Sequence, residues 1–273
     1  MNNNEFWDKQ AQKHHSDVKA VNFDVMANEL ESFYINKYIG EPASLVDLGC
    51  GNGNTLIYLA KNHPLTRFVG IDYSKGMIDA ANEQKIRFGL DNVDFICKDV
   101  TGDLSEFTNN FNIVLSKRLF INLPNSVHKK VIENIYSLVN PWYGALFLVE
   151  CFIEPLNNIN KIRKSLGYSE IKVHSFNKYL TMKYFDKIKD YFFVSKKIDF
   201  NSLYYFISRI FNDGGNYNDS INKTAVDISK ELGCFLNGFS PEILYIMNIA
   251  EPGVFGTCDC LEEVVNYKGD GKC

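Results

Sequence analysis

Apolar and polar positions follow two different periods along this chain. Short apolar runs at 44–48, 67–72, 93–97, 111–116 and 145–150 read as buried strands, each rich in Leu, Val, Ile or Phe. Between them, apolar residues three and four apart mark helices. Val127, Val131, Ile135 and Leu138 give one such face over 126–139, closed by Pro141. Two more helical patterns, over 5–20 and 24–39, precede the first strand. A sixth strand is expected at 191–199, helices at 201–211 and 219–236, and a last strand at 243–247. Strands alternating with helices predict a doubly wound α/β sheet.

The first strand runs straight into a glycine-rich turn. Asp47, Gly49, Gly51 and Gly53 stand at alternate positions, with Cys50 and Asn52 between the glycines. Glycine lets the backbone turn sharply and approach a ligand closely. Asn54 or Thr55 is placed to cap the helix that follows. The spacing departs from the G-x-G-x-x-G of dinucleotide sites, which disfavours a nicotinamide cofactor. Asp72 ends the second strand 19 residues beyond Gly53. That is where a carboxylate accepts from both hydroxyls of a ribose. The competing role for Asp72 is a helix cap, which Ser74 fills better.

This pattern resembles the first motif of the class I S-adenosylmethionine (SAM) dependent methyltransferases. Tyr73-Ser74-Lys75-Gly76-Met77 is similar to the family's next segment, and Lys98-Asp99-Val100 to its third. The resemblance covers about residues 24–250 and implies a Rossmann-like sheet of seven strands, the last antiparallel. It implies SAM as cofactor, bound by Asp47, Gly49, Cys50, Gly51, Gly53, Asp72, Tyr73, Met77, Asp99, Val100 and Ser116. Asp47 suits the cofactor's amino-acid tail, the hydrophobic residue after Asp72 packs on the adenine, and Asp99 accepts from its amino group. Arg118-Leu119-Phe120-Ile121-Asn122-Leu123 resembles a run found in a bacterial subset of these enzymes. Lys117, Arg118 and Asn122 are therefore candidate acceptor-binding residues, with a solvated surface turn as the alternative.

Other features concern the acceptor and the domain plan. Residues 1–40 form either a helical lid or a cover for the sheet edge, and 41–250 the methyltransferase domain. Residues 153–190, rich in Asn, Lys and Tyr, are expected to form a helical insertion over the acceptor side. His174 within it is a candidate general base, because a neutral hydroxyl must lose its proton as the C–O bond forms. Glu150, at the end of the fifth strand, is either a second site acid or a cap. An amine or carboxylate acceptor needs less help. The leading expectation is methylation of a hydroxyl on a sugar or sugar derivative, as in polysaccharide or secondary-metabolite synthesis. Methylation of a small amine, or a non-catalytic SAM-binding partner protein, are the alternatives.

Composition narrows the classes. Lys and Arg total 29 against 33 Asp and Glu, a net charge of −4, which argues against a nucleic-acid surface. The polar start lacks the pattern of a signal peptide, and no apolar run reaches a membrane span of about 20 residues. A cytoplasmic protein, monomer or homodimer, is expected. Of the 7 cysteines, Cys50, Cys97 and Cys151 are expected in or beside buried strands. Cys258, Cys260 and Cys273 sit in a glycine-rich tail over 251–273, expected to be flexible and without metal-ligand spacing.

Overall fold

The computed structural model describes residues 3–14, 17–20, 24–41, 43–174, 177–212 and 220–250. Two helices open the chain, α1 (Asn3–His14) and α2 (Val25–Lys37). Then strands and helices alternate: β1 (Ser44–Leu48), α3 (Asn54–Asn62), β2 (Arg67–Asp72), α4 (Lys75–Phe88), β3 (Val93–Cys97) and β4 (Ile113–Lys117). After them come α5 (His128–Leu138), β5 (Ala145–Cys151), α6 (Ile153–Ser165), β6 (Phe192–Ile198), α7 (Ser202–Phe206), α8 (Ser220–Leu232) and β7 (Glu242–Ile249).

The seven strands form one sheet in the order β3-β2-β1-β4-β5-β7-β6. β7 is antiparallel to both of its neighbours, and the other pairs are parallel. Strand order reverses between β1 and β4, so the crevice for a ligand opens at the carboxyl ends of these strands. Period-two alternation explains the two-sided core. Val46, Leu48, Val69, Ile71 and Val114 pack on one face with Val131, Ile135 and Leu138 of α5. Leu45, Phe68, Ile113 and Leu115 pack on the other with residues of α2, α3 and α8. Each such side chain contributes about 1.5–3 kcal/mol on burial.

The glycine turn carries its own packing demand. Gly53 is the N-cap of α3, in the left-handed region at φ 76°, so neither Asn54 nor Thr55 caps the helix as the sequence suggested. A Cβ on Gly53 would lie 2.7 Å from the Phe95 ring and 2.9 Å from the Ala81 methyl. Gly53→Ala is therefore expected to destabilise the fold by about 2–3 kcal/mol, combining a strained φ with overpacking. A thermal melt would read this as a drop of roughly 5–10 °C.

Other expectations are corrected by the fold. The sequence predicted a helical insertion over 153–190; its helix is α6, which begins directly after β5 with Pro155 in its first turn, where a missing N–H costs nothing. The insertion is the stretch after α6, tied back by an isolated pairing of Leu180 with Phe152. Cys50 and Cys151 are buried as expected, but Cys97 is exposed at the tip of β3, an edge strand. Helix α2 packs against α3 and α8, with Leu30, Tyr34 and Ile35 in the core. The tail at 251–273, with Cys258, Cys260 and Cys273, lies outside the described residues. No helix among the described residues is long and apolar enough to cross a membrane, and no metal-holding cluster occurs among them.

Candidate cofactor and acceptor site

A cavity of about 770 Å³ opens at the carboxyl ends of the parallel strands. One end is built from the first two βα turns. Gly49, Cys50 and Gly51 line it, with Gly49 and Gly51 at φ 78° and 54°. Asp72, Tyr73 and Met77 continue the wall from the tip of β2. Asp72 Oδ2 accepts from the Gly51 N–H and Oδ1 from the Ser74 N–H, both at 2.9 Å. Burial pushes its carboxyl upward, against the pull of those two N–H groups. Asp72 lines the cavity, and a carboxylate oxygen that already accepts one N–H can accept a further hydrogen bond, as a ribose diol requires. Ser74 caps α4, accepting from the Met77 N–H at 3.3 Å.

Asp99, Val100 and Thr101 close this end from the tip of β3. Asp99 Oδ1 holds its own turn, accepting from the backbone N–H and hydroxyl of Thr101 at 2.8 Å. Trp7 of α1 reaches over the same end and packs with Met77 and Ala20. Helix α1 is pinned there by Asp8, whose carboxylate accepts from the Ser74 hydroxyl at 2.7 Å. Of the two N-terminal helices, α1 alone contributes described residues to the cavity wall.

Asp47 sits behind the glycine turn. It is 1% exposed, and neither carboxylate oxygen has a hydrogen-bond partner. Burial raises its pKa to about 7, with Lys117 pulling it down and Glu31 and Asp72 pushing it up. An unpaired buried carboxylate is costly, and an ammonium group is the natural complement. This orphaned acid beside a glycine turn, with Asp72 at the next strand tip, fits an adenosyl group carrying an amino-acid tail.

The other end of the cavity is polar. Lys117, Arg118, Asn122, Asn177 and Lys178 line it, with Ile121 and Leu123 as an apolar wall. Lys117 Nζ donates to Thr55 Oγ1 at 2.6 Å and pairs with Glu31 Oε1 at 2.8 Å. The Arg118 guanidinium pairs with Glu31 and, at 3.2 Å, with Glu242. Burial lowers the Arg118 pKa, but the two carboxylates outweigh it and the net shift is upward. Arg118 occupies the left-handed region at φ 50°, an uncommon place for a long side chain. The turn is held by Asn122 Nδ2, which donates to the Arg118 carbonyl at 2.7 Å.

Five residues singled out in the sequence stand apart from the cavity wall: Asp47, Gly53, Ser116, Glu150 and His174. Gly53 serves packing, and Ser116 is fully buried at the strand end. Glu150 is also fully buried, and accepts the Phe120 N–H at 2.8 Å. Burial raises its pKa to about 8, against the backbone N–H groups of Phe120 and Ile121. It anchors the short helical turn Phe120–Asn122 that shapes the polar end of the cavity. His174 is exposed; the same loop reaches the wall through Asn177 and Lys178 instead. Sequence reasoning missed Glu31 and Glu242, because a lone acid in an apolar helix or at a strand start carries no motif. It also missed Trp7, Asn177 and Lys178 as wall residues.

Comparisons with known proteins agree with this geometry. Residues 45–142 match the family described as a methyltransferase domain. The chain is 28% identical over 174 residues to carboxy-S-adenosyl-L-methionine synthase of Nautilia profundicola, covering 55% of this chain and 70% of that one. It is 27% identical over 135 residues to malonyl-[acyl-carrier protein] O-methyltransferase of Priestia megaterium, covering 49% of this chain and 44% of that one. Its fold is similar to that of geranyl diphosphate C-methyltransferase from Streptomyces coelicolor, solved with S-adenosyl-L-homocysteine (SAH). The TM-score is 0.56 at 11% identity, covering 81% of this chain and 76% of the other. With the strand order, the glycine turn and the strand-tip acids already in place, residues 45–142 form a domain of the SAM-dependent methyltransferase kind, and its cofactor is S-adenosyl-L-methionine.

Proposed function

We propose that this protein methylates a small polar acceptor, a hydroxyl of a sugar or sugar derivative, bound where Lys117, Arg118, Asn122, Asn177 and Lys178 face the cavity. The observation that carries this reading is the continuity of one cavity, from the glycine turn to a wall of amides and cations. Amides and ammonium groups donate hydrogen bonds to hydroxyl oxygens, and the cations also suit a phosphate or carboxylate on the acceptor.

The cofactor, when bound, supplies an electrophilic methyl group on a sulfonium. The protein supplies orientation. Asp72 and the glycine turn hold one partner, and the Arg118–Asn122 turn holds the other, so the reacting atoms meet in line. The wall at the acceptor end holds no carboxylate or imidazole among the described residues, so a hydroxyl acceptor passes its proton to solvent water at the open side of the cavity as the C–O bond forms. Among the described residues the acceptor end carries cations and amides. Those cations oppose a protonated amine, and they favour a second reading, a carboxylate acceptor that arrives already ionised.

The test is methyl transfer from labelled SAM to matched neutral sugars, sugar phosphates, uronic acids and amines. Products from the sugar members support the reading; products confined to amines overturn it. Protein that binds SAH yet methylates none of the panel supports a non-catalytic SAM-binding role. In the same assay His174→Ala is expected to change turnover by less than about twofold, because the side chain stands off the wall. A loss of about 100-fold or more would restore His174 as the base.

A further inference from the structure

Two of the three cations on the acceptor wall already hold internal carboxylates. Glu31 comes from α2 and is fully buried behind that wall. Its Oε1 lies 2.8 Å from Lys117 Nζ, and its Oε2 pairs with the Arg118 guanidinium. Glu242, at the start of β7, pairs with the same guanidinium at 3.2 Å and accepts from Asn201 Nδ2 at 3.0 Å. Lys117 and Arg118 therefore meet two acids in one buried cluster. Lys178 is the third cation of the wall; it is exposed, and no described carboxylate lies within ion-pair reach of it.

Charge balance then decides what the wall can hold. A phosphate monoester carries about −1.5 to −2 near neutral pH. To recruit Lys117 or Arg118, it must draw the cation off Glu31. That leaves a carboxylate buried and unpaired, which is strongly unfavourable. With the pairs intact, the wall offers one net charge, from Lys178. It still offers hydrogen bonds. Lys117 uses two of its three N–H hydrogens, on Glu31 and on the Thr55 hydroxyl. Arg118 meets both acids through Nη1, which leaves the N–H groups of Nε and Nη2 for other acceptors. Such donors suit hydroxyls, and a single charge suits a carboxylate.

We propose that Glu31 and Glu242 set the charge of the acceptor: by neutralising Lys117 and Arg118, they restrict the site to an uncharged sugar or one bearing a single carboxylate, and they bar a phosphorylated one. The inference rests on the acceptor reading of the cavity and narrows it. Neither acid touches the acceptor; both are positioning residues that act through the cations they hold. Removing either charge leaves an ammonium or a guanidinium free for an oxyanion, so the barred class gains entry.

Titration calorimetry of the full chain with inorganic phosphate at pH 7.5 tests this. Glu31→Gln is expected to bind phosphate about tenfold or more tighter than wild type, the scale of one charge-assisted contact. In the double variant Glu31→Gln with Lys117→Met the gain should disappear, because Arg118 is then balanced by Glu242. Glu242→Gln should show a gain in the same direction through Arg118, and it gives the readout where Glu31→Gln lacks a cooperative thermal melt. In the methyl-transfer panel, a neutral sugar or uronic acid should be used at least about tenfold better than the matched sugar phosphate. Wild type that binds phosphate as tightly as Glu31→Gln, or folded variants that gain nothing, overturns the inference. A sugar phosphate as the preferred acceptor also overturns it, and leaves the sugar reading intact. Products confined to amines overturn the sugar reading alone, because the phosphate titration decides the charge balance without any acceptor.

Discussion

Asp72→Ala is expected to raise the dissociation constant for SAH by about 100-fold or more, the largest loss of any single change at the cofactor end. The carboxylate accepts from the Gly51 and Ser74 N–H groups and lines the cavity. Alanine removes the ribose contacts and also frees two backbone donors that shape the glycine turn and the α4 cap. The loss is therefore greater than two hydrogen bonds alone. Asp72→Asn separates the contributions, because one carbonyl oxygen still accepts. It should lose about tenfold, with the turn preserved. Calorimetry reads both values, and an Asp72→Ala protein that binds SAH as the parent does would remove this residue from the ribose.

The second large effect is the pH dependence of cofactor affinity through Asp47. Its carboxyl has a pKa of about 7 in the free protein, raised chiefly by burial. The sign follows from which form the ligand needs. An ammonium requires the carboxylate, so below this pKa binding must first expel a proton, and affinity rises with pH. Between pH 6 and 7.5 the increase is close to tenfold, with a plateau above. Proton release should appear as a heat that varies with the ionisation enthalpy of the buffer. Asp47→Asn removes the dependence and lowers affinity at pH 7.5 by roughly 30-fold, since an uncharged amide cannot replace the ion pair. A wild-type affinity that is level across this window would show that Asp47 does not meet the cofactor's ammonium.

The same linkage bears on stability. The folded-state pKa of Asp47 lies above the ordinary carboxyl value, so the buried ionised form is disfavoured. Without cofactor, this group makes the fold less stable as pH rises from about 4 to about 7. A bound cation that kept Asp47 ionised would abolish that slope, because folded and unfolded forms would then both be deprotonated above about pH 4.

Much of the cofactor end was legible in the sequence because its requirements are local. The left-handed turn at Gly49 and Gly51 needs residues without a Cβ. Asp72 and Asp99 stand at strand tips because an apolar run and its end are visible in a linear pattern. Gly53 was read as part of a cofactor-binding turn, but it lies off the cavity wall and its constraint is the ring of Phe95, which is distant in sequence and adjacent only through strand pairing. The polar end of the cavity was legible in part. Lys117, Arg118 and Asn122 do face the cavity. Glu150 and His174 are placed otherwise: the first is buried as a backbone anchor, and the second is exposed away from the wall.

The sequence by itself determined the alternation of strands and helices, the glycine turn and the acids that follow it. These rest on periodicity and on backbone conformations that few residues adopt. Only the tertiary structure decided which charges meet. Glu31 lies 86 residues before Lys117 and Glu242 lies 124 after Arg118, yet the four side chains form one buried cluster beside the cavity. No local pattern marks such a group. Charges acquire their partners only when the sheet closes and water leaves, and it is this desolvation that gives each pairing its energy.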